Sequence, residues 1–258
     1  MNVALRLQHF GVDVSFLSRV GKDIDGERLL NFMRSKSLDI RYVQSDTEHP
    51  TGTVIVDTTD PSEVHYTIAE DVAWDYIDVE AFREQQGGDP DVVVYGSLAA
   101  RHSVSREALL SLLDDARLRV FDVNLRAPFD DPATLQLLLE KADWIKVNEH
   151  ELAYLTESNF QGSDVESMAT ILRDRFKLDV VCVTLGADGA VLLAGEGVYR
   201  QPALAVDVVD TVGCGDAFLG SWVAAMLDEQ APQQALARAA AVAAIVAGSE
   251  GANPTFSD

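Results

Sequence analysis

The run Asp210-Thr211-Val212-Gly213-Cys214-Gly215-Asp216, followed by an apolar stretch to Leu227, gathers residue types that could carry chemistry. Glycines at 213 and 215 let a backbone approach a ligand closely. At the start of a helix, the N–H groups of Gly213, Cys214 and Gly215 meet the positive end of the helix dipole, which favours an anion such as a phosphoryl group in transfer. Asp216, in the first turn, could cap that helix and could equally accept the proton of an attacking hydroxyl. Gly-x-Gly turns before helices are common in α/β proteins, so spacing alone does not choose between these roles. Cys214 reads as a small space-filling residue, because no His or second Cys neighbours it in sequence.

Other candidates follow apolar runs. Asn148-Glu149-His150-Glu151 sets an amide and a carboxylate one helical turn apart. By itself the spacing is as common as any helix start, and a capping role is the default reading. Asp122, Asn124 and Arg126 stand at alternate positions after a strand and face one way if the strand continues. In an acidic protein Arg126 is then a candidate phosphate clamp.

The elements that must position these residues alternate between strand and helix, which implies a parallel sheet covered by helices. Strands are expected at Val14–Val20, Val92–Tyr95, Arg119–Val123, Trp144–Val147, Val180–Thr184 and, before the glycine run, Leu204–Val208. Helices are expected at Gly26–Lys36, Arg106–Asp115, Pro132–Lys141, Asp164–Phe176, Asp216–Leu227 and Pro232–Ala247. Residues 40–69 break the alternation: RYVQ, TGTVIVD and VHYTIA predict short strands around the turn-rich TTDPSE. They form a small antiparallel insert which, with Tyr66 and the following Trp74, is either a lid over a cleft or an ordinary edge hairpin.

The chain has 258 residues, 47% of them hydrophobic, enough for one substantial α/β core. A formal charge of −22 leaves no basic stripe for a nucleic-acid backbone, so nucleic acid is excluded as an expected partner. The same field repels free nucleotide, so an anion site has to concentrate local positive potential from backbone N–H groups, a few basic side chains and a metal ion. No run approaches the roughly 20 apolar residues of a spanning helix, and the start carries no basic leader; no membrane partner and a cytoplasmic location are expected. Cys182 and Cys214 are expected as reduced thiols.

The full string DTVGCGDAF resembles the C-terminal signature of the pfkB (ribokinase-type) carbohydrate kinases, usually written DTxGAGDxF, with Cys214 replacing the common Ala. The resemblance covers nearly the whole chain. Val20 to Gly26 matches the family's VGxDxxG, Asn148 to Glu151 its NxxE, Thr184 to Gly189 its TxGxxG, and Ser249 to Pro254 its closing GA element. Asp122 to Arg126 is more similar to fructokinases and 2-keto-3-deoxygluconate kinases than to ribokinases, and Thr51-Gly52-Thr53, Ala73-Trp74-Asp75 and Gly96 to Ala99 with Arg101 look fructokinase-like too.

The resemblance implies a ribokinase-like three-layer α/β/α sandwich with a mainly parallel central sheet and a small antiparallel β lid. Residues 1–39 would be the first part of the core, 40–70 the lid, and 71–258 the core with the ATP and catalytic site. The implied activity is ATP-dependent phosphorylation of a sugar hydroxyl, with fructose ahead of 2-keto-3-deoxygluconate and ribose. Asp216 would be the base and Gly213, Cys214 and Gly215 the anion hole. Thr184, Gly186, Gly189, Gly251, Ala252 and Arg126 would attend the nucleotide; Asn148 and Glu151 would hold hydrated Mg²⁺. Asp210 would help hold a monovalent cation, K⁺. Asn2, Gly96, Ser97, Arg101 and Asn124 would attend the sugar, and the lid would be the contact of a homodimer.

Members of the family open with a strand bearing a Gly-Glu pair and a sugar-binding Asp, then a GGAPxN segment. Asn2-Val3-Ala4 fits the end of that segment, and the earlier parts have no counterpart here. A misassigned start or a lost front is expected ahead of natural truncation. A sensor that keeps the fold without catalysis is the rival of another class; the retained GCGD run argues against it.

Overall fold

The computed structural model describes residues 1–60, 63–86, 89–158 and 164–255. In chain order the first elements are α1 (Asn2–His9), β1 (Ser18–Gly21), α2 (Ile24–Ser35), β2 (Val43–Asp46), β3 (Val54–Asp60), β4 (Glu63–Ile68) and α3 (Val79–Gln86). There follow β5 (Val92–Gly96), α4 (Ser103–Asp115), β6 (Leu118–Asp122), α5 (Pro132–Lys141), β7 (Trp144–Asn148), α6 (Glu149–Thr156) and α7 (Val165–Phe176). The last are β8 (Val180–Thr184), β9 (Ala190–Ala194), β10 (Gly197–Gln201), α8 (Cys214–Leu227) and α9 (Pro232–Ala247).

Two compact units share this chain. The first joins Met1–Val14, Asp91–Leu98 and Arg117–Asp258. Its sheet runs β10-β9-β8-β7-β6-β5, with β5 to β8 parallel and β9 and β10 added antiparallel. Strand alternation sends Val120, Val180, Cys182 and Leu192 to one face, where Phe218, Leu219 and Trp222 of α8 and Leu236 of α9 close the core. Each such fully buried side chain contributes about 1.5–3 kcal/mol. On the other face Tyr95 stacks on Phe121 at 4.8 Å and donates its hydroxyl to the Leu138 carbonyl of α5 at 3.0 Å. α6 packs on β7, and α7 on β8 and β9, so helices cover both faces.

The β9–β10 hairpin is not among the expected strands. β9 is buried along nearly its whole length and so reads as a featureless apolar run, AVLLA, with no alternation to announce it. The expected strand at Leu204–Val208 is irregular instead: its residues find no neighbouring strand, and Leu204, Val206 and Val208 stay exposed.

The second unit joins Ser15–Pro90 and Ala99–Ala116. The antiparallel content expected over 40–69 is confined to β3 and β4, which pair from Val54↔Ile68. β2 instead lies parallel to β1, from Ser18↔Val43 to Gly21↔Asp46. That choice follows from Asp46, whose buried carboxylate meets Arg19 Nε at 2.7 Å while its carbonyl accepts from the Lys22 N–H at 2.7 Å. The Tyr66 side chain lies outside the described residues. Tyr42, Val79, Phe82, Ala108 and Leu112 form the unit's apolar cluster, so α3 and α4 are held against the strand ends.

The Val20–Gly26 motif works structurally. Asp23 caps α2 by accepting the Gly26 N–H at 2.8 Å, and it also accepts the Thr51 hydroxyl at 2.7 Å and N–H at 2.8 Å. Thr51 is thereby tied to the start of α2. Beside it Gly52 lies so close to the Trp74 indole that a Cβ there would fall 2.2 Å from Nε1. Among the described residues no helix is long and apolar enough to cross a membrane.

Candidate active site

α8 opens with Gly213 as N-cap, at φ 82°, and no side chain caps it, although the Cys214 N–H already donates to the Thr211 carbonyl at 3.2 Å. Only glycine suits this position twice over: its φ is left-handed, and a Cβ would fall 2.5 Å from the Ala252 Cβ. Asp210 braces the same place. Its Oδ1 accepts from the Val212 N–H at 2.9 Å and its Oδ2 from the Gly251 N–H at 3.3 Å, so the 210–213 and 251–252 segments pack as one piece.

Asp216 sits in the first turn of α8, and its Oδ2 accepts from Asn2 Nδ2 at 2.8 Å. Asn2 in turn accepts from Asn253 Nδ2 at 2.8 Å. Cys214 is a free thiol whose Sγ points at the Asp210 carbonyl, 3.8 Å away. Burial first, then the charge of Asp210, pushes that thiol up, so it stays protonated and fills space.

The parallel strands bring further candidates to their carboxyl ends, where open α/β sheets bind ligands. In register, Gly96 is paired with Asp122, Asp122 with Lys146, and Asn148 with Thr184. Buried Ser97 donates to the Asn124 carbonyl at 3.3 Å, which unites two of the sugar candidates. Thr184 Oγ1 donates to the Val147 carbonyl at 3.4 Å, and Gly186 and Gly189 turn the chain from β8 into β9.

Asn148 and Glu151 form a capping box on α6. Asn148 Oδ1 accepts the Glu151 N–H at 2.9 Å, and Glu151 Oε2 accepts the Asn148 N–H at 2.8 Å. Glu151 Oε1 takes the Leu125 N–H at 2.9 Å, and the buried carboxyl is pushed up by burial, against the hydrogen bonds and Lys146 that favour its charge. Each carboxylate oxygen thus holds one backbone donor, and no group of three or more His, Cys, Asp and Glu side chains is placed to hold a metal among the described residues. The donor set fits a hydrated ion held through water better than direct coordination.

The alternation expected of Asp122, Asn124 and Arg126 is not present. β6 ends at Asp122, and Asn124 turns left-handed at φ 39°, which redirects the chain. Arg126 is exposed and donates to its neighbour's carbonyl, that of Leu125, at 2.8 Å. Arg101 belongs to the second unit, where Nε and Nη2 grip Asp75 at 2.8 and 2.7 Å. Nη2 also donates to the Ala69 carbonyl at 2.5 Å, and the guanidinium lies 4.0 Å from the Trp74 ring centre. With side chains only 5% and 2% exposed, Arg101 and Asp75 satisfy each other's charge.

Sequence inspection missed Lys146. It stands at a buried position of β7 and reaches Asp122 Oδ1 at 2.9 Å. Its only local signal is a charge inside the apolar run WIKV.

A model of the pfkB family of carbohydrate kinases matches residues 1–258. The chain belongs to that family. Among its pfkB relatives, a fructokinase of Klebsiella pneumoniae is 31% identical over 246 residues, covering 92% of this chain and 79% of the relative. A 2-dehydro-3-deoxygalactonokinase of Haloferax volcanii is 26% identical over 260 residues, covering 95% and 79%. The structure of the sugar kinase PH1459 from Pyrococcus horikoshii in complex with ATP superposes with a TM-score of 0.82 at 27% identity, covering 97% of this chain and 82% of that one. The pfkB membership and this superposition account for the mainly parallel sheet, its helices on both faces and the small antiparallel pair.

Proposed function

We propose that this pfkB kinase transfers the γ-phosphoryl group of ATP to a primary hydroxyl of a neutral sugar, fructose giving its 6-phosphate. The observation that carries the proposal is a carboxylate, Asp216, held by Asn2 on the first turn of a helix whose N-terminus has no side-chain cap. The sugar oxygen attacks the γ-phosphorus, its proton passes to Asp216, and the bond from phosphorus to the bridging oxygen of ADP breaks. Amides of Gly213 to Gly215 stabilise the charge gathering on the phosphoryl oxygens.

The turn at Thr184, Gly186 and Gly189 and the Gly251–Ala252 segment would border the nucleotide, with Arg126 free to swing toward its phosphates. Asn148 and Glu151 would orient the waters of a Mg²⁺ ion, whose chemistry is to neutralise phosphate charge. Asp210 and the neighbouring carbonyls offer oxygens to a monovalent cation such as K⁺. Gly96, Ser97 and Asn124 would line the sugar, the β3–β4 hairpin would serve as a lid, and paired hairpins would join two subunits.

Arg101 separates the two leading acceptors. A 2-keto-3-deoxy acid needs a cation for its carboxylate, and Arg101 is committed to Asp75. A neutral acceptor suits that commitment better, and the likeness to a fructokinase points the same way. The test is ADP release with fructose, ribose, 2-keto-3-deoxygluconate and nucleosides in turn. Fructose should give the highest kcat/KM; a preference for the acid would overturn the assignment of acceptor, and nucleotide binding without turnover on any sugar would favour a sensor.

A further inference from the structure

Lys146 of β7 lies across the register from Asp122 of β6, and its Nζ is 2.9 Å from Asp122 Oδ1, with each side chain 8% exposed. Burying two charges among apolar strands is expensive, and well-packed hydrophobic residues of similar volume often stabilise a fold as well or better. Stability alone therefore gives little reason for the pair.

The positive end of the pair faces the first turn of α8. A Cβ built on Gly215 would have Lys146 Nζ 3.7 Å away, the single atom within 4 Å once chain neighbours and the helix's own backbone are set aside. Acidic groups flank the pair: Asp216 acts electrostatically on Asp122, and Glu151 on Lys146. Backbone amides at a helix start supply only about half a charge. In a chain of formal charge −22, a full positive charge carried up from the sheet would matter at an anion site.

We propose, on the reading of Gly213 to Asp216 as the phosphoryl-transfer turn, that Lys146 is a positioning residue for that turn. Asp122 holds its ammonium beneath Gly215, where it adds positive charge under the amides that receive the phosphoryl oxygens. Lys146 thereby couples β7, which carries Asn148 at its end, to the helix start that carries the base.

Kinetics and thermal melts of the full chain separate this role from a structural one. Lys146→Met should lower both Tm and kcat, since it leaves Asp122 buried without its partner. The double variant Lys146→Met with Asp122→Asn removes both charges, so Tm should return toward the parent value. Its kcat should stay about 10- to 100-fold low, with KM for fructose and for ATP little changed. Recovery of kcat together with Tm would overturn the proposal. If the double variant fails to fold, Lys146→Arg against Lys146→Gln decides: the charged variant should be clearly faster, and equal rates would overturn it. A parent chain without turnover on any sugar would instead overturn the reading of the turn, and the proposal with it.

Discussion

Asn2 and Asp216, 214 residues apart, share a 2.8 Å hydrogen bond from the amide of one to the carboxylate of the other. It occupies Oδ2 and, because Asn2 is itself held by Asn253, fixes how the carboxylate is presented. On the proposed mechanism, Oδ1 would be the oxygen that takes a proton from an attacking hydroxyl. Asp216→Asn should lower kcat by about 10²–10⁴-fold while ATP still binds, because the amide keeps the shape and loses the basicity. Near-normal turnover in that variant, measured by ADP release, would remove Asp216 from the mechanism.

Gly213 and Gly195 both have left-handed φ, but only Gly213 has a neighbour in the way of a Cβ. Gly195→Ala should cost about 1 kcal/mol of backbone strain and leave kcat unchanged. Gly213→Ala should cost about 2–3 kcal/mol, as strain adds to the clash with Ala252, and should lower kcat because the amides shift. Paired melts and rates check the contrast; equal losses in both variants would count against the packing of 210–213 on 251–252.

The Arg101–Asp75 pair closes the base of the β3–β4 hairpin, since Arg101 also holds the Ala69 carbonyl just beyond β4. Removing one buried partner strands the other charge. Arg101→Ala should therefore destabilise by about 3–5 kcal/mol, a Tm loss on the order of 10 °C for a chain of this size. Arg101→Met with Asp75→Asn should recover most of it. If Arg101 instead served a substrate carboxylate, the single variant would melt like the parent.

Asp46 ties stability to pH. Burial alone would raise its carboxyl, but the N–H groups of His49 and Glu48, the His49 ring and Arg19 outweigh it and hold it at about 2. A carboxyl depressed in the folded state stabilises above its ordinary value, near 4, and the benefit is lost as pH falls from there through about 2. Tm should drop over that interval. Asp46→Asn should be less stable at pH 7 and should show a shallower acid decline; an unchanged acid profile would mean that other carboxylates dominate it.

Much of the first unit was legible in the sequence because its signals are short-range. Four of its strands, expected at Val92–Tyr95, Arg119–Val123, Trp144–Val147 and Val180–Thr184, show as apolar runs, and the helix after Gly215 shows as a long, continuously apolar stretch. The turn at 213–215 is equally local, since glycine spacing and a following helix are written in consecutive residues. Asn148 and Glu151 are one turn apart, and the capping box was among their foreseen roles.

What the sequence could not decide are pairings set by register and by packing between distant segments. Lys146 meets Asp122 because β6 and β7 are parallel in one particular register; a shift of one residue would send the lysine to the other face. Arg101 reads in the sequence as a substrate contact and stands in the fold as a cation neutralised beside Asp75. Arg126 loses its alternation because β6 stops at Asp122 and Asn124 then turns left-handed. Asp216 by itself was a cap or a base, written in one helical turn. Only the fold brought Asn2 to it, with Asn253 behind, and so set how the carboxylate is oriented.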